Sequence, residues 1–206
     1  MTTAPAPGLT QAVELLDRSL AYTRVALADV GPADLAAPTP CAGWTLARLL
    51  THMEDALDAF TEAAAGRVAV AAVPPAADRV AALRDKACAL LGAWAAASPS
   101  TVAVGDLLVD APLLVETAAL EITVHGWDVA QATGRRTPVP TGLARRLRPV
   151  AERVVQDSDR GTRFAPARDA GPGAGAGDSL MAFLGRVTGP VAGKNAEPPS
   201  LGPNTS

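Results

Sequence analysis

Residues 117–131 read TAALEITVHGWDVAQ, and the placing of this stretch decides the fold. Around it, a largely apolar run extends from Ala111 to Thr133, with Pro112 in its first turn and Gly126 further in, and Gly134 closes the run. Such a run is long enough for a six-turn helix, and Ala and Leu favour that state. A helix advances about 100° per residue, so His125 lies about 40° from Glu121 and Asp128 about 20° from it. Three polar groups therefore share one face with Leu114, Thr117, Ala118 and Ile122, while Leu113, Leu120 and Val124 make the flank apolar as well. A helix that is apolar around most of its girth belongs inside a bundle. A carboxylate buried there costs several kcal/mol or more unless it is protonated, paired or bound to a metal. Glu121 therefore demands a partner.

The composition agrees with an all-α protein. Hydrophobic residues make up 49% of the 206 residues and aromatic residues only 3%, so Ala, Leu and Val must fill the core. One isoleucine, Ile122, leaves the chain poor in a common strand former. A net charge of −3 opposes a nucleic-acid role, which needs a basic stripe. The arginines at 135, 136, 145, 146 and 148 read as helix-surface residues. No signal peptide and no run of about 18 apolar residues is present, so neither secretion nor a membrane is expected and the cytoplasm is the expected compartment. Two cysteines, Cys41 and Cys88, do not make a disulfide framework in a chain of this size. Sixteen of the eighteen basic residues are arginine, the mark of a GC-rich genome.

Outward from the central stretch, the pattern gives a disordered lead-in over 1–8, one helical domain over 9–188 and a disordered tail over 189–206. Apolar residues at 9, 13, 16, 20 and 27 predict a first helix ending near Val30 before Gly31-Pro32. A proline-stiffened loop leads to Thr45, an N-cap for a second helix with Leu46, Leu49, Leu50, Met53, Leu57 and Phe60 buried and Gly66 as its stop. A third helix is predicted from about Pro75 to Ala97, then an extended crossover in SPSTVAVGDLLVD, then the helix already described. A fifth helix, about Thr141 to Gln156, and a short last one in GDSLMAFLGRVTG are separated by the Gly/Pro-rich loop RFAPARDAGPGAGAG. Four long helices and a short C-terminal helical extension make a four-helix bundle.

The second helix carries the other histidine of the chain, His52, about 60° from Leu49 and 40° from Ala56, so that it can face inward. Glu121 and His125 at i, i+4 can hold one ion from a single helix, and His52 from a facing helix completes a three-ligand set. Two histidines and one carboxylate with an open position suit zinc or non-haem ferrous iron. The residues alone leave other readings open: an ordinary i, i+4 surface pair, a hydrogen-bonded core histidine, and Asp128 bonded to a ring nitrogen or to Trp127.

PTPCAGWTLARLLTHM (38–53), ALEITVHGWDVAQATG (119–134) and DSLMAFLGR (178–186) together resemble the DinB/YfiT-like superfamily. Within it they are most similar to the actinobacterial metal-binding branch related to mycothiol-dependent maleylpyruvate isomerase. The resemblance spans about residues 9–188. It implies a DinB-like four-helix bundle with a divalent metal, zinc first with nickel or iron as alternatives, held by His52, Glu121 and His125. It further implies mycothiol as thiol cosubstrate, ionised by the metal to attack a small electrophile in S-transfer or isomerisation. Asp128 is then a support for a ligand or a general base, Trp44 and Trp127 are pocket walls, and Arg163 is a candidate anion contact. Cys41 reads as a packed loop thiol. The other functions this chain allows are a metal-dependent hydrolase using a metal-bound hydroxide and a non-enzymatic metal- or ligand-binding stress protein, monomeric or homodimeric.

Overall fold

The computed structural model describes residues 7–68, 78–97 and 99–188. Among the described residues there are six α-helices: α1 Pro7–Leu27, α2 Leu46–Ala63, α3 Arg79–Ala96, α4 Ala111–Ala132, α5 Thr141–Val154 and α6 Ala176–Phe183. The expected tail over 189–206 lies outside the described residues, as does the start of a third helix near Pro75. Pro7 and Gly8, expected in the lead-in, already belong to α1. The described part of α3 begins at Arg79, where the Asp78 carboxylate accepts from the Ala81 amide. At its other end α1 stops at Leu27, three residues before the expected Val30, and the chain is extended at Gly31, as a residue before proline prefers.

The first four helices form the bundle. α1 packs most extensively on α4, α4 on α2, α2 on α3, and α3 back on α1. Consecutive helices α1 and α2 thus stand across a diagonal, as do α3 and α4. The two connections that cross the bundle end, residues 28–45 and 97–110, therefore carry structure of their own. The second, expected as an extended crossover, is a hairpin, β1 Thr101–Val104 and β2 Leu107–Asp110, antiparallel with Val102 opposite Val109. The free edge of β1 pairs with the chain leaving α2, through the Ala103 amide to the Gly66 carbonyl and the Val68 amide to the Ala103 carbonyl. Satisfying both edges of so short a strand removes an otherwise unpaired row of backbone groups.

The buried stripe of α2 consists of Leu46, Leu49, Leu50, Met53 and Leu57, and the Thr45 hydroxyl caps the helix by accepting from the Arg48 amide. Each of these side chains contributes roughly 1.5–3 kcal/mol on burial. Trp94 of α3 is almost wholly buried and donates its indole N–H to the Phe60 carbonyl, locking α3 to the end of α2. Leu143, Leu147 and Val150 bind α5 to the outside of the bundle, where it packs on α4 and α6. Among the described residues no helix is long and apolar enough to cross a membrane.

The contact between α1 and α4 depends on Gly126. A Cβ at this position would meet the Thr23 hydroxyl oxygen, lie 3.0 Å from the Thr23 Cβ and 3.1 Å from its Cα. The hydroxyl of Thr23 donates to the Ile122 carbonyl at 2.8 Å, so the threonine cannot turn away without losing a buried bond. Glycine inside a helix costs about 1 kcal/mol relative to alanine, and here the cost permits close approach. Gly126→Ala is therefore expected to destabilise the protein by about 1–3 kcal/mol in urea unfolding, reversing the usual sign of a Gly→Ala change within a helix.

Candidate metal centre

His52 comes from the second turn of α2, and Glu121 and His125 come from successive turns of α4. The Nε2 atoms of both histidines converge on one carboxylate oxygen: His52 lies 2.8 Å and His125 3.0 Å from Glu121 Oε1. The two imidazole rings meet edge to face at 4.9 Å, and Trp44 packs edge to face on His52 at 5.1 Å. The nitrogen, nitrogen and oxygen atoms of this group all lie within 4.8 Å of one another, which makes it a group that could hold a metal ion. Two imidazoles and a carboxylate are the donors that zinc and other borderline divalent ions prefer, so the residues fit the ion. Solvent reaches the His52 and Glu121 side chains, 37% and 32% exposed, but barely reaches His125 at 9%.

Behind His125 lies a charge network. Its Nδ1 is 3.0 Å from Asp128 Oδ2, and Asp128 is fully buried. The Arg186 guanidinium grips both oxygens of that carboxylate, Nε donating to Oδ1 at 3.3 Å and Nη2 to Oδ2 at 2.8 Å. The Cys41 thiol donates to the same Oδ2 at 3.3 Å. A carboxylate hydrogen-bonded to the far nitrogen of a ligating histidine fixes its tautomer and aims the near nitrogen. Asp128 thus supports His125 from behind and does not line the cavity beside Glu121. Cys41, His125 and Asp128 form a second cluster of metal-ligating atoms, but the buried guanidinium already neutralises Asp128 and opposes a second cation there.

Two pieces of local structure deliver these partners. Cys41 sits in a tight turn in which the Trp44 amide donates to the Cys41 carbonyl and the Thr39 amide to the Trp44 carbonyl. This turn puts the thiol against Asp128 and Trp44 against His52. α6 ends in a Schellman motif: the Gly185 amide donates to the Ala182 carbonyl and the Arg186 amide to that of Met181. Gly185 takes φ +83°, which favours glycine, and the reversal aims Arg186 inward. Sequence reasoning misses Arg186, although this residue closes the quoted motif DSLMAFLGR. Its only signal in the sequence is a buried Asp128 without a cation nearby in the chain.

The remaining predicted residues fall elsewhere. Trp127 is buried in the core. Arg163 is 72% exposed and pairs with Asp159 one turn away, with no described contact to the histidines. Trp44 touches the site through His52 and carries the Arg48 guanidinium 4.6 Å over its ring.

A sequence model described as the mycothiol maleylpyruvate isomerase N-terminal domain matches residues 16–130. The chain belongs to this family. Two uncharacterized proteins of Mycobacterium tuberculosis, one from strain CDC 1551 / Oshkosh and one from strain ATCC 25618 / H37Rv, are each 30% identical to it over 166 residues. That alignment covers 78% of this chain and 90% of each relative. No solved structure matches it. The span shared with the mycothiol maleylpyruvate isomerase N-terminal domain contains Cys41, His52, Glu121, His125 and Asp128, whereas Arg186 lies beyond it.

Electrostatics follow from the geometry. Burial by itself would raise the Glu121 carboxyl, but His125 and His52 beside it hold it well below the usual carboxylate range. Burial by itself would lower His125; Glu121 beside it and hydrogen bonds to Asp128, Cys41 and Glu121 lift it well above its ordinary value. Asp128 is likewise held down, its burial outweighed by His125 and Arg186. A raised histidine stabilises the fold fully below about pH 6.5 and loses that contribution as pH climbs through the raised value. A metal needs Nε2 of His125 without its proton, so binding must release that proton. Zinc affinity measured against a chelator is expected to tighten by up to about tenfold per pH unit from pH 6 to 8, with proton release seen as a buffer-dependent heat.

Asp128 and Arg186 should also be stability determinants. Arg186→Gln leaves a buried carboxylate short of its cation and is expected to cost about 3 kcal/mol or more in chemical unfolding.

Proposed function

We infer that this chain is a metal- and thiol-dependent enzyme acting on a small electrophile, either an S-transferase or a cis–trans isomerase, with mycothiol as the thiol. The observation that supports this reading is the convergence of His52, Glu121 and His125 on one point, with the inner imidazole braced by Asp128. When bound, a divalent ion, zinc ahead of nickel or iron, supplies the positive charge that ionises a thiol near neutral pH.

The protein's own groups do the rest. His52 and His125 present Nε2 and Glu121 presents Oε1. Asp128 accepts the Nδ1 proton of His125 in a hydrogen bond, so the lone pair of the ring stays on Nε2. Arg186 keeps Asp128 ionised, which prevents that proton from moving to the carboxylate. The thiolate sulfur forms a C–S bond to the β carbon of an alkene conjugated with a carbonyl, and the π pair moves onto the carbonyl oxygen. Rotation about the former double bond, return of the pair and expulsion of the sulfur give the isomer and regenerate the thiolate. Delivery of the thiol's original proton to the α carbon retains the adduct and gives S-transfer. We place this chemistry in the cytoplasm, where such thiols stay reduced.

Metal analysis and thiol turnover test the reading together. Purified protein is expected to carry close to one zinc equivalent and to consume mycothiol with an enone only while the metal is present. His52→Ala, Glu121→Gln and His125→Ala should each weaken zinc by more than about a hundredfold, a larger loss than Asp128→Asn gives through the hydrogen bond alone. Protein that purifies without metal and gains no stability from zinc overturns the proposal.

A further inference from the structure

Glu121 and His125 also form part of the wall of a cavity of about 390 Å³ between the helices of the bundle. Most of the remaining wall is aliphatic. Leu20 and Leu27 come from α1, Met53 and Leu57 from α2, and Leu83 and Leu91 from α3. Ile122 adds the α4 side, between the two polar residues in the chain. Ala21, Ala56 and Ala87 keep the space open where larger side chains would fill it.

The polar residues of the wall do not form a recognition site for charge. Thr23 has its hydroxyl committed to the Ile122 carbonyl. Asp17, Arg24 and Arg84 are exposed, so they mark the mouth, where water already solvates their charges. A small dicarboxylate placed among these aliphatic side chains would give up most of its hydration against leucine and methionine, a loss of several kcal/mol.

We propose that the cavity selects an uncharged, largely apolar electrophile and excludes short dicarboxylates. Its size fits this class: an apolar cavity of about 150 Å³ accommodates benzene, so this one has room for a fused bicyclic ring or a medium-length chain. It also falls in the range of about 300–1,000 Å³ usual for small-molecule sites that combine apolar walls with a few polar groups. The proposal rests on the thiol-dependent reading for the word electrophile, while the apolar selectivity stands on the wall alone.

Binding of unreactive probes separates the two. Full-length protein, treated with a chelator and without thiol, is titrated calorimetrically with hexan-1-ol, octan-1-ol and decan-1-ol, and separately with maleate. Affinity should rise about fourfold per methylene until the cavity is full, and maleate should give no saturable heat. Ala56→Phe on α2 and Ala87→Phe on α3 should each weaken octanol binding at least tenfold; thermal melts identify a variant that has failed to fold, and the other then decides. Maleate binding as tight as octanol, an affinity independent of chain length, or octanol binding unchanged in a folded filling variant would overturn the proposal. Because no metal or thiol takes part, a protein that binds octanol but never zinc refutes only the proposed reaction. One that binds zinc but prefers maleate refutes only this inference.

Discussion

A carboxylate with no solvent exposure has to be compensated inside the protein, and the arrangement around Asp128 is how this chain does it. Three elements far apart in sequence meet on that one group. Cys41 arrives from the loop before α2, His125 from the preceding turn of α4, and Arg186 from the end of α6. Remove the charge on Asp128 and each of these contacts loses its reason. The Nε2 edge of His125, which meets Glu121, is aimed by the same carboxylate that holds the C-terminal extension to the bundle. Stability and the orientation of the site are therefore coupled through a single side chain.

The bundle is legible in the sequence because its signals are local and repeated. Leu46, Leu49, Leu50, Met53 and Leu57 recur at helical spacing, and all of them are buried. Thr45, Gly66 and Gly134 punctuate the helices where capping chemistry demands. The hairpin over Thr101–Asp110 is less legible: four-residue strands give little alternation, and here one edge of β1 is satisfied by the chain leaving α2, which no local pattern announces. The three-residue overshoot at the end of α1 has a similar source. Ala28, Asp29 and Val30 are compatible with helix, and the only local constraint against it is the extended backbone that Pro32 imposes on Gly31.

Within the site, the helical arithmetic that puts Glu121, His125 and Asp128 on one face is sufficient to find the group on α4, and the scarcity of histidine points to His52. It cannot separate the roles of the two carboxylates. Glu121 and Asp128 differ by about 20° around the helix but by about two turns along it, and that axial offset puts one beside both Nε2 atoms and the other behind a ring. Arg186 is hidden for a further reason. An arginine just past a helix-ending glycine looks like a solvated residue, and only the reversal of the chain in the Schellman turn sends it inward.

That turn also bears on where the functional unit ends. The family match stops at Ala130, a boundary set by sequence similarity. The charge balance of the interior is closed well beyond it, by the guanidinium of Arg186, which is only 11% exposed. A segment cut at the similarity boundary would retain His52, Glu121 and His125 and still lose the guanidinium that grips both oxygens of the buried Asp128 carboxylate. α5 and α6 thus carry a counter-charge on a tether: the cation that meets the α4 carboxylate comes from 58 residues further along the chain.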